Sequence, residues 1–189
     1  FQSKLNPIDF GNLKHIIFTG EPIPKNLTNK IYKKFKDIQI YNAYGTTETS
    51  IISNWNIINK KLGKEKDISI GNVLPNIKYL LIDENGNPNE NKGEICFSGE
   101  QISNGYWDNE YLNNKHFIRL SDNGKYFIKY YKTGDIVRKD NSGNLYLDGR
   151  VDNQVKINGY RIELEEIENN LNELSDVKNI VALTHSQNQ

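Results

Sequence analysis

The sequence predicts an α/β fold in three successive textures: a partial βαβ layer, a small β-barrel-like segment, and the start of an α+β lobe. Three observations carry this expectation. A strand, a helix and a second strand fit within residues 14–41, and residues 70–147 break into short alternating segments separated by Gly, Asn and Pro. An amphipathic helix then spans residues 163–174. The chain divides accordingly at 1–69, 70–151 and 152–189.

The elements follow in order. Lys14-His15-Ile16-Ile17-Phe18-Thr19-Gly20 is an apolar run closed by Gly and reads as a buried strand. Gly20-Glu21-Pro22-Ile23-Pro24 is a turn. From Pro24 the apolar residues Leu27, Ile31, Tyr32 and Phe35 recur at helical spacing, with Pro at the helix start. Ile38 to Tyr41 is the second strand, completing a βαβ unit whose ligand site belongs beyond the carboxyl ends of its strands. In the middle segment 78–82, 93–98, 126–131, 136–139 and 145–147 read as strands, with turns at 83–88 and 139–144. Beyond Asp152, residues 154–157 read as a strand and Asn158-Gly159-Tyr160 as a turn. Leu164, Ile167, Leu171 and Leu174 form one stripe of a helix, and 176–184 reads as a last strand. About 37 residues are too few to complete a core of their own, so the chain is expected to be a fragment.

Bulk properties exclude several classes. The 189 residues hold 24 basic against 24 acidic side chains, a formal net charge of zero, so no nucleic-acid footprint exists at chain level. Cys96 is the single cysteine, which leaves no internal disulfide and no cysteine-pair metal site, and makes the cytoplasm the expected compartment. No apolar run approaches the roughly 18–20 residues needed to cross a bilayer as a helix.

Two stretches carry more chemistry than a bare fold needs. Thr133-Gly134-Asp135 sets a carboxylate after a residue free to adopt positive φ, an arrangement suited to vicinal hydroxyls such as those of a ribose. Gly149-Arg150 sets a guanidinium beside a second flexible point, where its fork of donors can meet ribose oxygens or a phosphate. For either residue alone the plainer reading, a turn cap or a solvated charge, prevails, because lone Asp and Arg in Gly-flanked turns are very common. Between the second strand and the next segment, Asn42-Ala43-Tyr44-Gly45-Thr46-Thr47-Glu48 combines a ring for stacking, a flexible Gly, two hydroxyls and an anionic oxygen. Together these suit an aromatic base, a phosphate and Mg²⁺; the competing view has Glu48 merely complementing a helix dipole. Gly93-Glu94-Ile95-Cys96-Phe97-Ser98-Gly99 and Gly105-Tyr106-Trp107 read as architectural, with Cys96 a buried apolar residue.

These stretches, together with Tyr131-Lys132-Thr133-Gly134-Asp135 and the run from Gly149-Arg150-Val151-Asp152-Asn153-Gln154-Val155-Lys156-Ile157-Asn158-Gly159-Tyr160 to Glu163, resemble four successive core motifs of the adenylate-forming superfamily. That superfamily holds acyl-CoA synthetases, luciferases and amino-acid adenylation domains, and the details resemble its amino-acid-activating branch, with nonribosomal peptide synthetase modules and D-alanine to carrier-protein ligases. The resemblance implies that a small amino acid or other carboxylic acid attacks the α-phosphate of ATP. The acyl-adenylate then passes to the phosphopantetheine thiol of a carrier protein. It implies that Asn42 and the Gly20-Glu21-Pro22 turn edge the adenine and that Tyr44 stacks on it, with Ala43, Gly45 and Thr46 in the same nucleotide-binding stretch. Thr47 would hold the α-phosphate, Glu48 would ligate Mg²⁺, Asp135 would bind the ribose hydroxyls, and Arg150 would reach the ribose and adenylate. Asp152 matches the hinge, and Lys156 the lobe face presented in the second half-reaction.

Under the same resemblance the textures become the C-terminal part of a large domain's α/β layer, a β-rich subdomain and an incomplete small lobe. Thr46 stands where the family usually has Pro, a change expected to loosen the turn. No Gly/Ser/Thr-rich loop followed by Lys occurs in these residues, and the family's catalytic lysine has no counterpart among them. The chain is therefore expected to adenylate nothing by itself. Ile17, Thr19, Gly20, Ala43, Ile51 and Ile52 would line the acyl pocket, whose apolar walls fit an uncharged side chain. An acyl-CoA synthetase and a non-catalytic docking module are the alternatives.

Overall fold

The computed structural model describes residues 12–60, 67–122, 126–157, 160–172 and 180–184, which fall into two compact units, Phe1–Gly149 and Arg150–Gln189. In the first unit β1 (His15–Phe18) runs through α1 (Lys25–Lys34) to β2 (Gln39–Tyr44), and the two strands pair in parallel. Pro24 precedes the helix with its backbone extended, and Lys33 and Lys34 occupy the last turn, where the dipole favours cations. Phe35 ends the helix, its N–H donating to Ile31 O at 2.8 Å. Ile31, Tyr32 and Phe35 pack on Ile23, Ile38, Ile40 and Ile58. β3 (Asn54–Ile58) lies antiparallel to β2, and β4 (Asn72–Val73) closes a sheet of order β1-β2-β3-β4. β1 is not the buried strand expected: among the described residues it is an edge strand, and Ile17 is 57% exposed. β2 also runs three residues past Tyr41, so Asn42, Ala43 and Tyr44 are strand residues.

The second sheet comprises β5 (Lys78–Ile82), β6 (Pro88–Asn89), β7 (Lys92–Ser98), then α2 (Glu110–His116), β8 (Phe117–Asp122), β9 (Tyr126–Lys139) and β10 (Leu145–Arg150). Its order is β10-β9-β7-β5-β6, with β8 pairing the first part of β9. Among the described residues this is a strand-rich open sheet, since β6 ends one edge. The two strands expected at 126–131 and 136–139 are one, β9, because Thr133-Gly134-Asp135 continues the strand as a bulge. Asp83 and Asp140 accept backbone N–H groups two and four residues on, closing the two predicted turns. The two sheets share one core, in which Tyr44 and Ile70 pack with Leu81, Ile95, Phe97, Val137 and Leu145. Ile70 N–H and Ser69 Oγ both donate to Leu145 O, tying the connecting segment to β10.

In the second unit β11 (Val155–Ile157) pairs antiparallel with β12 (Tyr160–Ile162), and α3 (Leu164–Asn172) follows. Asn158 and Gly159 of the expected turn lie outside the described residues, while Tyr160 begins a strand. Leu174 and the first part of the strand expected at 176–184 also lie outside them. Ile180–Thr184 is irregular rather than a strand, with the Ala182 N–H donating to Glu168 Oε1 at 2.8 Å.

Candidate functional site

The carboxyl ends of β1 and β2 are neighbours, because Phe18 is in register with Asn42. Gly20 (φ 91°), Glu21 and Pro22 leave β1 exposed, beside the end of β2. Asn42 and Ala43 are buried, and Asn42 Nδ2 donates to Ser69 O at 2.9 Å. Gly45 is required by space: a Cβ there would lie 2.4 Å from Ile51 O and 2.9 Å from Ser53 N. The next residues form a 3₁₀ turn, Thr47–Thr49, capped by Thr46, whose N–H donates to Thr49 Oγ1 at 3.0 Å. Thr46 therefore tightens this turn, contrary to the loosening expected, because a proline could not supply that N–H. Thr47 is exposed at the turn's start.

Glu48 sits in that turn, 7% exposed. Its Oε1 accepts from the Tyr106 hydroxyl at 2.6 Å, and its backbone carbonyl accepts from the Ser103 N–H at 2.8 Å. A buried carboxylate gripped by a distant tyrosine does more than complement a one-turn helix. Tyr106, read from the sequence as architectural, thus belongs to the site; its ring meets His116 and Phe117 edge-on at about 6 Å. The only signal for it in the sequence is its place after Gly105. Among the described residues no group of three His, Cys, Asp or Glu side chains gathers, and Glu48 is the carboxylate that this turn offers a metal. That donor set fits Mg²⁺, which takes one or two carboxylates and fills the rest of its octahedron with water and substrate phosphates.

Asp135 comes from β9, across the shared core. It is buried, and its Oδ2 accepts from the Tyr44 hydroxyl at 2.5 Å. Gly134 has φ 77°, so the expectation of positive φ at this glycine holds. The Tyr44 ring, expected as an open stacking face, is 6% exposed and tilted against Phe97 at 6.3 Å. The physical reason is the second sheet, which covers the apolar ring and leaves the hydroxyl to find a partner. Tyr44 and Asp135, 91 residues apart in the chain, are thus in direct contact.

In the second unit Arg150 is neither free nor solvated. Its Nε and one terminal nitrogen donate to the two carboxylate oxygens of Asp152 at 2.6 and 2.7 Å, and the same terminal nitrogen donates to Gln154 Oε1 at 2.8 Å. Burial pushes the Asp152 carboxyl up, but the Arg150 hydrogen bonds and charge, with the Gln154 N–H, hold it below the usual carboxylate range. Lys156 is exposed on β11.

Of the expected acyl-pocket residues, Ala43 is buried, whereas Ile17, Thr19, Gly20 and Ile51 are exposed. Ile51 is 65% exposed at φ 76°, a backbone conformation rare for a β-branched residue. Cys96 is fully buried, and burial beside Glu94 pushes its thiol far above the ordinary range, which makes it unreactive.

Known proteins resemble this chain in sequence and fold. Over 185 residues the chain is 34% identical to a D-alanine–D-alanyl carrier protein ligase of Lactiplantibacillus plantarum, covering 96% of this chain and 35% of that protein. Over 180 residues it is 34% identical to gramicidin S synthase 2 of Aneurinibacillus migulanus, covering 93% of this chain and 4% of that protein. The solved structure of PA1221, an NRPS protein containing adenylation and PCP domains, superposes with a TM-score of 0.82 at 28% identity, over 97% of this chain and 38% of that one. The chain thus spans about a third of the length of the carrier-protein ligase it matches. Residues 2–107, from the lead into β1 through the Glu48 turn to Tyr106, match the AMP-binding enzyme family, and the chain belongs to that family.

Proposed function

We propose that this chain is part of a ligase that activates an amino acid with ATP and hands it to a carrier protein. In the first half-reaction a substrate carboxylate oxygen bonds to the α-phosphorus of ATP and the bond to pyrophosphate breaks, leaving an aminoacyl-adenylate. In the second, a phosphopantetheine thiolate bonds to the acyl carbon and AMP departs. Both steps need positioning and charge neutralisation rather than a protein nucleophile.

The residues divide that work. The Gly20-Glu21-Pro22 turn and Asn42 border the adenine, with Ala43 and the backbone of Gly45 and Thr46 forming the wall that carries it. Tyr44 acts as the site's floor and holds Asp135, which takes the ribose hydroxyls. Thr47 binds the α-phosphate. Mg²⁺, when bound, neutralises phosphate charge, and Glu48 is its protein ligand. Arg150 is the guanidinium assigned to ribose and adenylate, and Lys156 belongs to the face that the small lobe offers in the thioester step.

The observation that carries this reading is the Tyr44 to Asp135 contact, which brings two motifs of the nucleotide-binding pattern to one place. Its support from known proteins is the match to a carrier-protein ligase over nearly the whole chain. Calorimetric titration with AMP tests it. AMP is expected to bind, and Asp135→Ala to weaken binding roughly tenfold or more, the worth of a charge-assisted hydrogen bond to a hydroxyl. Equal affinity in both proteins would remove the ribose role, and no binding to either would remove the nucleotide site.

A further inference from the structure

The geometry points to Glu94 as a positioning residue for the nucleotide site: its carboxylate holds the β9 bulge that aims Asp135. This rests on the reading of Asp135 as the ribose ligand.

The bulge is unusual in size. Cys96 of β7 pairs with Lys132 and Glu94 pairs with Ile136, so Ile95 alone faces Thr133, Gly134 and Asp135. A ladder interrupted in this way leaves backbone groups that must find partners off the regular pattern. The partners are supplied in part by side chains. Glu94 Oε1 accepts from the Gly134 N–H at 2.8 Å. Thr133 Oγ1 donates to Ile95 O at 2.8 Å and accepts from the Asp135 N–H at 3.0 Å. Gly134 takes φ 77°, which makes the turn of the bulge possible.

Glu94 itself is 8% exposed, a degree of burial at which a carboxylate needs partners. Its second oxygen, Oε2, lies 3.3 Å from Lys132 Nζ, on the residue just before the bulge. One carboxylate therefore grips the bulge at its entry and at its middle, and the next side chain along is Asp135, in contact with Tyr44. Without the Glu94 oxygen, Gly134 N–H is unpaired in a buried strand and the bulge relaxes. Asp135 then turns away from the position at which it meets both Tyr44 and a ribose. Glu94 touches no ligand itself; it acts through Gly134.

The experiment compares AMP with 3′-deoxy-AMP by calorimetry, for the native chain and for Glu94→Gln, Glu94→Asp and Asp135→Ala, and follows amide hydrogen exchange of Gly134 and Val137. The native chain is expected to favour AMP by roughly tenfold, a preference abolished in Asp135→Ala. Glu94→Gln keeps an oxygen at the distance of Oε1 and is expected to retain most of the preference and the protection of Gly134. Glu94→Asp keeps the charge but withdraws both oxygens by a methylene. It is expected to lose most of the preference and to speed Gly134 exchange, with Val137 unchanged. A role that is only the ion pair with Lys132 predicts the reverse order, and that result overturns the inference, as does an Asp variant indistinguishable from native. Should the native chain show no preference between the nucleotides, the ribose reading of Asp135 fails instead. Gly134 exchange then still decides whether Glu94 holds the bulge.

Discussion

At the scale of single residues, the site depends on close approach more than on flexibility. Gly45 has no room for a side chain, because the atoms a Cβ would meet are backbone atoms of Ile51 and Ser53, which cannot rotate away. Gly45→Ala is expected to destabilise the first unit by about 1–3 kcal/mol, read as a lower thermal midpoint; an unchanged midpoint would show that the 46–53 loop can move aside. Thr46 was legible as a departure from a familiar pattern, but not as an improvement, since the value of its N–H appears only once Thr49 Oγ1 is seen 3.0 Å away. Tyr106 was legible only by its place after Gly105, not as the partner of Glu48. Its partner Glu48 is 58 residues distant, and no local periodicity encodes such a pair.

At the scale of elements, pattern reading succeeded where apolar residues face the core and failed where they do not. The βαβ unit, β5 and the two Asp-initiated turns follow from alternation, helical spacing and turn chemistry. β3 escaped because its pattern is inverted over most of its length: Asn54 is buried while Trp55 and Ile57 are exposed, and only Ile58 faces the core. Ile17, Tyr41 and Ile57 sit in register across three strands on this same face. β9 was split in two because Thr-Gly-Asp is turn chemistry, and only the bulge against β7 lets it stay in a strand. In the second unit, the short Arg150 to Gln154 segment is held by the Arg150–Asp152 pair. Asp152 is depressed in the folded state, so its contribution to stability is complete above the ordinary carboxyl range and is lost as pH falls through the lower folded value. Denaturant titration of the native chain and Asp152→Asn should therefore show a stability difference that is constant above about pH 5 and shrinks below about pH 4. A difference that persists unchanged into acid would mean that Asp152 works without its charge.

At the scale of the whole molecule, the chain sets its proposed nucleotide site on a core shared by two sheets, followed by a separate second unit beginning at Arg150. Among the described residues no helix is long and apolar enough to cross a membrane. AMP needs only the base, ribose and α-phosphate contacts, whereas ATP chemistry also needs groups for the β- and γ-phosphates. No Gly/Ser/Thr-rich loop ending in Lys is present in these residues to provide them. This 189-residue chain is accordingly expected to bind AMP yet give no ATP–pyrophosphate exchange with any amino acid; robust exchange would show that the phosphate contacts come from residues within it.

The sequence by itself determined the class of chemistry, because a motif is a local order of residue types and survives without coordinates. Asn42 to Glu48, Thr133 to Asp135 and Gly149 to Arg150 stand out by their order and their resemblance to the family's motifs, since each alone reads as well as turn or surface chemistry. Only the tertiary structure decided what those stretches touch: that the Tyr44 hydroxyl meets Asp135 while its ring is buried, that Tyr106 grips Glu48, that Arg150 is already engaged by Asp152, and that Glu94 accepts from the bulge beside Asp135. Burial is a property of the closed fold, and buried polar groups must find partners wherever the chain happens to bring them. Those partners lie up to 91 residues away, beyond the reach of any sequence window.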